Sequence, residues 1–557
     1  MSMKVSILAD PPKTGRAKTL SRWLQWTFPT SSEVLFWTLI FLMLFGHLSQ
    51  FLFRDGDPGW NIRTGQYIIK TLSIPHHDIF SFSMPHAWWV AYEWGTQVIF
   101  AALDRYLGFN GIALFVVFVL ATTYTLLYKS LRSEGFSFCL SFPLLLFVIL
   151  GSEFQWAARP FMLSYLFVTL FYSRLDRYMR ATIPVKRLWA LPLLMILWVN
   201  LHPGFLAGVL LILTFLVGNV LGLAFSLAEA RSAINLRIRQ IGGIAIATIA
   251  ASLLNPYGYR LYVYLFEYSK TVHNIALSHN ELSSPMFQIA VYQPFLAAVI
   301  ALIFLLRYSR YQLRVDEGLT LVIWVALGLV SLRNIPVMLL VCAPLYARLI
   351  QGLKDPFTEW LSQLPKIRPT LHRLFHRLEL VISMEQHFRR HLLSLGLAFM
   401  MLWVVAHQGY WGGKRVMDFH FLEEWGYPAA ALQYLQAHPP SGNVFNEWTM
   451  GGYLIYNFYP NMKVFSDGRL DFYGEAFTRQ YVKLINTPEG ETAKDDWKEV
   501  FDRYQIQWVM IPPTFALRLA LDADPAWERR FLDDHCVIFV RKKPEDMSCP
   551  GRRARAR

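Results

Sequence analysis

Residues 54–70 read RDGDPGWNIRTGQYIIK, the first polar stretch after an apolar run near the N-terminus. The polar sequence continues to AYEWG at 91–95, after which apolar sequence resumes. This loop concentrates titratable side chains, among them Asp55, Asp57 and Glu93, directly beside a hydrophobic segment. If the flanking runs cross a membrane, the loop lies at the bilayer surface, where carboxylates indicate a site for a charged, lipid-linked substrate.

The composition of the chain supports a membrane location. Of its 557 residues, 54% are hydrophobic and only 17% are charged, which is more apolar sequence than a soluble domain usually buries. The net charge of +14 comes from Lys and Arg in short clusters between apolar runs. The orientation rule for membrane proteins explains these clusters, so we expect no nucleic-acid partner.

Apolar runs long enough to cross a bilayer recur through most of the chain and predict a polytopic α-helical membrane protein with about eleven transmembrane helices. They lie at 35–53, 110–128, 137–152, 160–173, 188–201, 204–226, 241–254, 288–306, 317–332, 335–350 and 392–408. The basic clusters alternate with them, which predicts a cytoplasmic N-terminal segment (1–34) and a multi-pass domain (35–408) in the inner or plasma membrane. The loop 54–95 then faces the outside.

The sequence after Gly409 has the composition of a soluble domain. Short strand-like and helix-like segments alternate and predict an extracytoplasmic α/β domain over 409–545. Its strand-like segments include KVFSDGR at 463–469, IQWVMIPP at 506–513 and CVIFVRKK at 536–543. We expect a disordered basic tail at 546–557 and an amphipathic helix or an ordinary loop at 354–390. Cys536 and Cys549 either pair, if their compartment is oxidising, or stay reduced.

Asp55 and Asp57 are the first candidates for chemistry. A carboxylate just outside a span can hold a divalent cation against a lipid phosphate, or act as a base on an acceptor. The alternative is that DGDPG is an ordinary turn, because Asp, Gly and Pro are the commonest turn residues.

Arginine and histidine at span ends form a second group of candidates. Arg333, in SLRNIP between two apolar runs, is expected to meet a carboxylate or a phosphate, because an unpaired Arg at a membrane face is costly. Arg159 is a candidate for the same role, or else an interfacial Arg that extends towards water. His202 either binds substrate or satisfies exposed carbonyls at the helix break in WVNLHPGF.

The predicted outer domain contains a third group of candidates. Asp467 and Arg469 follow a strand-like segment, a common position for binding residues, or they pair with each other. The segment FNEWTMGGYLIY at 445–456 places Trp448 and Tyr453 around a Gly-Gly pair, where they either contact substrate or belong to the core. No Walker loop, GxGxxG element, zincin motif or nucleophile elbow is present in the sequence, so we expect no nucleotide cofactor.

The outer loop, with DPGWNIR at 57–63, resembles the first outer loop of GT-C membrane glycosyltransferases. Within this class, which includes the protein O-mannosyltransferase superfamily, it looks like the loop of the oligosaccharyltransferase catalytic subunit. The resemblance implies a catalytic, metal-binding role for Asp57, with Asp55 as the substitute, and Mg²⁺ or Mn²⁺ as the cation. It also implies that Arg333 binds the carrier phosphate.

The resemblance extends to other outer loops with two departures. It implies further ligands at Glu153, in GSEFQWAARP, and at Glu281, in HNELSSP, but Gln155 stands where the family has a second acidic residue. The Trp448 segment loosely resembles the family's Trp-Trp-Asp-Tyr-Gly signature, but it lacks the Asp.

These features together predict an integral-membrane glycosyltransferase. It would move a sugar or oligosaccharide from a polyprenyl-phosphate or polyprenyl-pyrophosphate donor to an outer-face protein, lipid or glycan. Two alternatives remain open at this point: a transporter or assembly scaffold for a surface glycan, and a lipid-linked glycan polymerase or ligase that needs no metal.

Overall fold

The computed structural model describes residues 29–275, 280–353, 391–421, 426–486 and 496–542. The predictions for the first 28 residues, for the segment 354–390, for the tail 546–557 and for Cys549 lie outside these ranges. Cys536 is buried.

The described residues before Gly409 form α-helices that include at least one in each of the predicted apolar runs. They are α1 (Ser31–Phe45), α2 (Asp57–Thr71), α3 (Trp94–Ser133), α4 (Phe138–Leu150), α5 (Phe161–Met179), α6 (Ala190–Leu201), α7 (Phe205–Ala224), α8 (Ala228–Ser252), α9 (Arg260–Ile275), α10 (Gln293–Tyr308), α11 (Val315–Val330), α12 (Ile335–Gln351) and α13 (Leu392–Ala406). Short 3₁₀ helices lie at His47–Phe51, Glu153–Gln155, Val185–Trp189, Asn280–Leu282, Ala290–Tyr292 and Leu332–Asn334. The helices α2 and α9 lie outside the predicted runs, in the two longest predicted outer loops.

In the described part of the chain, four helical segments are both long and apolar enough to cross a membrane. They are Trp94–Ser133, Phe205–Ala224, Ala290–Tyr308 and Leu332–Gln351. Shorter apolar helices cover Ser31–Phe45, Phe138–Leu150 and Leu392–Ala406. The chain is therefore a helical protein of membrane type, while the predicted count of about eleven spans is not confirmed.

The helix α3 is much longer than the run at 110–128 that predicted it. It contains a break at Gly108, where φ is +61°, a backbone conformation that glycine adopts readily. The residues before this break, from Trp94 onwards, directly follow the polar loop. The predicted apolar run, which begins at residue 110, therefore starts two residues after the break in the helix at Gly108.

The C-terminal region contains a four-stranded sheet with helices packed around it. Its helices are α14 (Ala429–Ala437), α15 (Trp448–Phe458), α16 (Leu470–Ile485), α17 (Asp496–Arg503) and α18 (Leu517–Ala523). A hairpin of β1 (Tyr410–Trp411) and β2 (Lys414–Arg415) precedes the sheet strands β3 (Asn443–Asn446), β4 (Ile506–Ile511), β5 (Trp527–Leu532) and β6 (Val537–Arg541). The sheet order is β3-β4-β6-β5, with β3 parallel to β4 and the other pairs antiparallel.

One predicted strand is absent from this sheet. In the segment 463–469, Val464 makes only isolated bridges, to Ser81 of the outer loop and to Val444 of β3. The predicted strand is therefore wrong. The segment runs between the outer loop and the sheet, and it forms a single bridge to each of them and no continuous ladder of hydrogen bonds.

The C-terminal region lies directly against α2. An added Cβ at Gly452 of α15 would be 2.0 Å from the Gly56 carbonyl oxygen, and one at Gly59 would be 2.1 Å from the Gly452 oxygen. Backbones approach this closely only where side chains are absent. A buried ion pair also joins the C-terminal region to the loop that follows α2, since Arg469 Nη2 lies 2.8 Å from Asp78 Oδ1.

Candidate functional site

A polar pocket of about 600 Å³ lies between the loop 54–95, neighbouring ends of the helices that follow it and the C-terminal region. The sequence candidates that line it are Asp55, Asp57, Glu93, Arg159, His202, Glu281, Arg333, Trp448 and Arg469. These residues come from six separate stretches of the chain, and the fold brings them together.

Arg159 is at the centre of the acidic part of this pocket. Its Nε lies 2.7 Å from Asp55 Oδ2 and 3.1 Å from Asp57 Oδ2, although neither contact has hydrogen-bond alignment. Its Nη1 donates to both oxygens of Glu281, at 3.1 and 3.0 Å. The two aspartates and Glu281, which are more than 220 positions apart in the sequence, thus converge on one guanidinium group.

The charges of this cluster stabilise one another. Burial disfavours the charged form of Arg159, but the three carboxylates outweigh it and raise its pKa. Burial would raise the pKa of Glu281, but Arg159 and Arg333 lower it to about 2. Burial raises the pKa of Asp55, and Arg159 opposes that rise.

Asp57 is held by the first turn of α2. Its Oδ1 accepts a hydrogen bond from the indole Nε1 of Trp60, at 3.1 Å, one helical turn later. Its backbone N–H donates to Asp55 Oδ1 at 3.0 Å, and the other Asp55 oxygen faces Arg159. DGDPG is therefore not the ordinary turn of the alternative interpretation, because Asp57, Pro58 and Gly59 already belong to α2. At Gly468, a Cβ would lie 2.1 Å from Asp57 Oδ1, so the C-terminal region closes directly over this carboxylate.

Arg333 marks the passage from the polar pocket to an apolar groove. Its Nη2 lies 3.2 Å from Glu281 Oε2, and 43% of its side chain is exposed. A groove of about 280 Å³ continues from it between α5, α7, α11 and α12, with Phe161, Leu210 and Trp324 in its walls. Arg333 pairs with a carboxylate, which was one of its two predicted partners. The exposed part of its side chain lines both the pocket and the groove.

His202 and Glu93 face each other beside Arg333. The His202 Nδ1 accepts the N–H of Gly204 at 2.9 Å and lies 2.8 Å from the Ser164 hydroxyl. Because Nδ1 accepts, the ring proton belongs on Nε2, which lies 3.5 Å from Glu93 Oε1. His202 thus satisfies an amide at the helix break, where a carbonyl was the predicted partner, and its other nitrogen faces the pocket.

Both groups are uncharged at neutral pH. Burial, reinforced by Asp57 and Asp471, raises the pKa of Glu93 to about 8. Burial and the charge of Arg333 lower the pKa of His202 to about 3. The pocket therefore offers a protonated carboxyl within reach of the Asp57 region.

The C-terminal candidates divide into pocket and core residues. Trp448 lines the pocket and stacks on Tyr481, with ring centroids 4.6 Å apart. Tyr453 is buried against Phe421 and Tyr427, as its core interpretation predicted.

Asp467 and Arg469 pair with each other, which was one of the two alternatives. Arg469 Nη2 lies 2.7 Å from Asp467 Oδ2, and Asp467 is fully buried. Arg469 also lines the pocket, and its guanidinium packs 4.6 Å from the centroid of the Trp89 ring. This pair therefore fastens the C-terminal region to the outer loop.

Glu153 lies apart from the acidic cluster. It lines a second cavity of about 480 Å³, together with Arg54 and Gln155. Asp55, Arg159 and Glu281 line both cavities and so form the partition between them.

The predicted metal ligands do not fit a cation in this arrangement. Across the described ranges, no group of three His, Cys, Asp or Glu side chains has the geometry to hold a metal ion. This includes the predicted set of Asp57, Glu153 and Glu281, because the Arg159 guanidinium already occupies the space between Asp57 and Glu281. Metal dependence remains an untested prediction, and no step below is routed through a metal.

A comparison with solved structures gives a distant likeness. The chain is similar to the archaeal oligosaccharyltransferase AglB from Archaeoglobus fulgidus, in complex with an inhibitory peptide and a dolichol-phosphate. The match covers 92% of this chain and 74% of that chain, with a TM-score of 0.48 and 9% sequence identity. No family model matches the sequence, and no curated protein matches it. The likeness describes a distant relationship of fold and carries no argument about residues or substrates.

Several pocket residues were absent from the sequence predictions. Trp60, Asn61, Tyr92 and Tyr268 all line the pocket. The spacing of Trp60, three positions after Asp57 on a helix that begins with Asp-Pro, is a signal that could have identified it. Tyr92 and Tyr268 carry no such signal, because they reach the pocket only through tertiary packing.

Proposed function

We propose that the chain is an integral-membrane glycosyltransferase that transfers a sugar or oligosaccharide from a polyprenyl-phosphate or polyprenyl-pyrophosphate carrier to an outer-face acceptor. The observation that carries the proposal is the position of Arg333, at the junction between an acidic pocket and an apolar groove. An amphiphile with an anionic head and a long hydrocarbon tail matches this junction.

The donor would occupy both cavities. Its polyprenyl tail would lie in the groove lined by Phe161, Leu210 and Trp324, where it replaces no polar contact. Its phosphate would meet the exposed face of Arg333, because guanidinium groups bind phosphate oxygens with two parallel hydrogen bonds. The sugar would then extend into the 600 Å³ pocket.

Asp57 would act on the acceptor. It faces the same pocket, and its carboxylate is oriented by Trp60 on one side and Arg159 on the other. In the transfer, the acceptor atom forms a bond to the anomeric carbon while the bond from that carbon to the carrier phosphate breaks. The acceptor proton passes to Asp57, and the phosphate leaves with the electron pair, next to Arg333.

The second cavity is suited to the acceptor. It lies on the far side of the partition made by Asp55, Arg159 and Glu281, so a group held there would be separated from the donor pocket by these three side chains. Glu153 and Arg54 give this cavity charges of both signs. Substitutions of Glu153 and Arg54 would test whether this cavity determines which acceptor is used.

Substitution of Asp57 by Asn tests the proposal. The amide keeps the size of the side chain and removes its basicity, so transfer from a labelled polyprenyl-phosphate sugar should fall by about 100-fold or more. The measurement uses purified full-length protein and membrane extract as the acceptor source. Asp418→Asn is the matched control, because Asp418 is an exposed outer residue that pairs with Arg415.

Two results contradict this assignment. Full transfer by the Asp57→Asn variant removes Asp57 from the mechanism. Absence of transfer by the wild-type protein, under conditions in which it binds the labelled lipid, favours the transporter or scaffold alternative.

A further inference from the structure

We propose that Arg159 is the built-in cation of the acidic cluster, so that Asp55, Asp57 and Glu281 are paired and oriented without a divalent metal ion. This inference deepens the proposed function and, as a statement about mechanism, rests on it. The contacts of Arg159 carry the proposal independently of any activity.

The geometry of the carboxylate oxygens fits a guanidinium group. Divalent cations bind oxygens at about 2.0–2.6 Å around a single point. Here the oxygens of Asp55, Asp57 and Glu281 lie 2.7–3.1 Å from two different nitrogens of one side chain. A metal ion at the centre of these oxygens would have to displace Arg159, which is only 17% exposed.

The charge of the cluster is also largely compensated. Three carboxylates face Arg159 and Arg333 at ion-pair distance. Arg54 adds a third positive charge nearby, since its field acts on both Asp55 and Glu281. An additional divalent cation would make this small region strongly positive, so it gains little attraction from the cluster.

The local backbone holds Arg159 in this position. The corner at 151–160 is tied to the chain just before the loop 54–95, because the Ala158 N–H donates to the Leu52 carbonyl at 2.6 Å. Pro160 follows directly and restricts the backbone of Arg159. Glu153, the acidic residue of this corner, lines the second cavity. Arg159 is the residue of the corner that contacts the carboxylates of the cluster.

Manganese binding tests the proposal without any assay of transfer. Purified full-length protein in detergent is titrated with Mn²⁺, and free Mn²⁺ is followed by electron paramagnetic resonance. We expect equal uptake by the wild type and by the Asp57→Asn, Glu281→Gln double variant. A saturable site in the wild type that the double variant lacks overturns the proposal, whatever the protein transfers.

Transfer assays give a second, separate test. With a polyprenyl-linked donor, wild-type transfer should change by less than about two-fold after treatment with a chelator or addition of Mg²⁺ or Mn²⁺. A loss of about tenfold or more that Mn²⁺ restores overturns the proposal. If the wild type transfers no sugar at all, the proposed function fails, while the Mn²⁺ titration still decides the question of the cation.

Variants of Arg159 test its role as a positioning residue. Arg159→Gln leaves three carboxylates without their central charge and should lower transfer by more than about tenfold, whereas Arg159→Lys should recover part of it. The matched control is Arg529→Gln, because Arg529 is exposed on β5 and pairs with Asp522 away from the pocket. Wild-type transfer by Arg159→Gln, or equal losses in Arg159→Gln and Arg529→Gln, contradicts the assignment.

Discussion

Glu93 is a pocket residue whose protonation changes when the protein folds. It is buried at the start of α3 and shares its surroundings with the negative charges of Asp57 and Asp471. The neighbouring His202 is neutral and supplies no positive charge to offset them. The folded protein therefore keeps a proton on Glu93 that the unfolded chain releases at lower pH.

This difference predicts that stability falls as the pH rises. The pKa of Glu93 is about 8 in the folded protein, against 4.5 for an unperturbed Glu, so the unfolded state binds fewer protons between these values. The free energy of unfolding should then fall by up to about 1.4 kcal/mol per pH unit between pH 6.5 and 8, because below pH 6.5 the buried neutral His202 has the opposite effect. Glu93→Gln removes this dependence, which melting curves in detergent at several pH values can measure.

The control for this prediction is Glu528→Gln. Glu528 is exposed on β5 and pairs with Arg530. Its variant should keep the pH dependence of the wild type. Parallel curves for the wild type and Glu93→Gln would show that Glu93 is charged in the folded protein.

The packing of α2 against α15 is the contact between elements that closes the pocket. Gly56 and Gly59 of the outer loop meet Gly452 backbone to backbone, and the adjacent segment places Gly468 over Asp57. Gly452, the second residue of the Gly-Gly pair, is needed for this close approach between the two helices.

Gly452→Ala should therefore loosen this contact. The new Cβ would lie 2.0 Å from the Gly56 oxygen, and backbone atoms cannot move aside as a flexible side chain can. We expect a loss of about 1–3 kcal/mol of stability, together with reduced transfer because the cover over Asp57 shifts. Thermal melting and the transfer assay measure the two effects.

Gly243→Ala provides the comparison for this substitution. Gly243 lies in α8, where an added Cβ meets no atom within 4 Å. Alanine there should leave stability unchanged or raise it slightly, because alanine favours helix. Equal melting temperatures for the Gly452→Ala and Gly243→Ala variants would mean that α2 and α15 separate without cost.

The whole molecule has a second ion cluster at the opposite end of α5 from Arg159. Arg348 of α12 is buried there, 2.7 Å from Glu317 Oε1 and 3.0 Å from Glu134 Oε1. It also donates to Asp176 near the end of α5. This inner cluster joins α3, α5, α11 and α12 and so fastens the helices that carry the outer pocket.

Removal of Arg348 should destabilise the whole helix assembly. In Arg348→Met, the carboxylates of Glu134, Asp176 and Glu317 lose their shared buried partner, and such losses cost about 3–5 kcal/mol. We expect a lower melting temperature in detergent and a lower yield of folded protein. Arg239→Gln, an exposed position on α8, should change stability by less than about 0.5 kcal/mol.

The outcome that contradicts this prediction is a wild-type melting temperature for Arg348→Met. It would mean that the carboxylates take up protons or water without affecting the helix packing. The inner cluster would then have no part in holding the outer pocket together.

The candidate site could be predicted from sequence where polar residues interrupt apolar runs. Asp57, Glu281 and Arg333 stood out for this reason, and the structure places all three at one pocket. Arg159 was also identified, but its carboxylate partners were not, because nothing in local sequence links it to Asp55 or Glu281. The segment 463–469 was wrongly predicted as a strand. Its sequence is typical of a strand, but in the structure Val464 forms only isolated bridges to two separate parts of the chain.

The sequence by itself determined the helical membrane character of the chain and the positions of its polar interruptions, because hydrophobicity and chain breaks are local properties. Only the tertiary structure decided that Arg159 lies among three carboxylates and that Glu153 belongs to a different cavity. Those facts depend on contacts between segments more than one hundred residues apart. They are set by helix packing and by close backbone approach at Gly452, which no local pattern specifies.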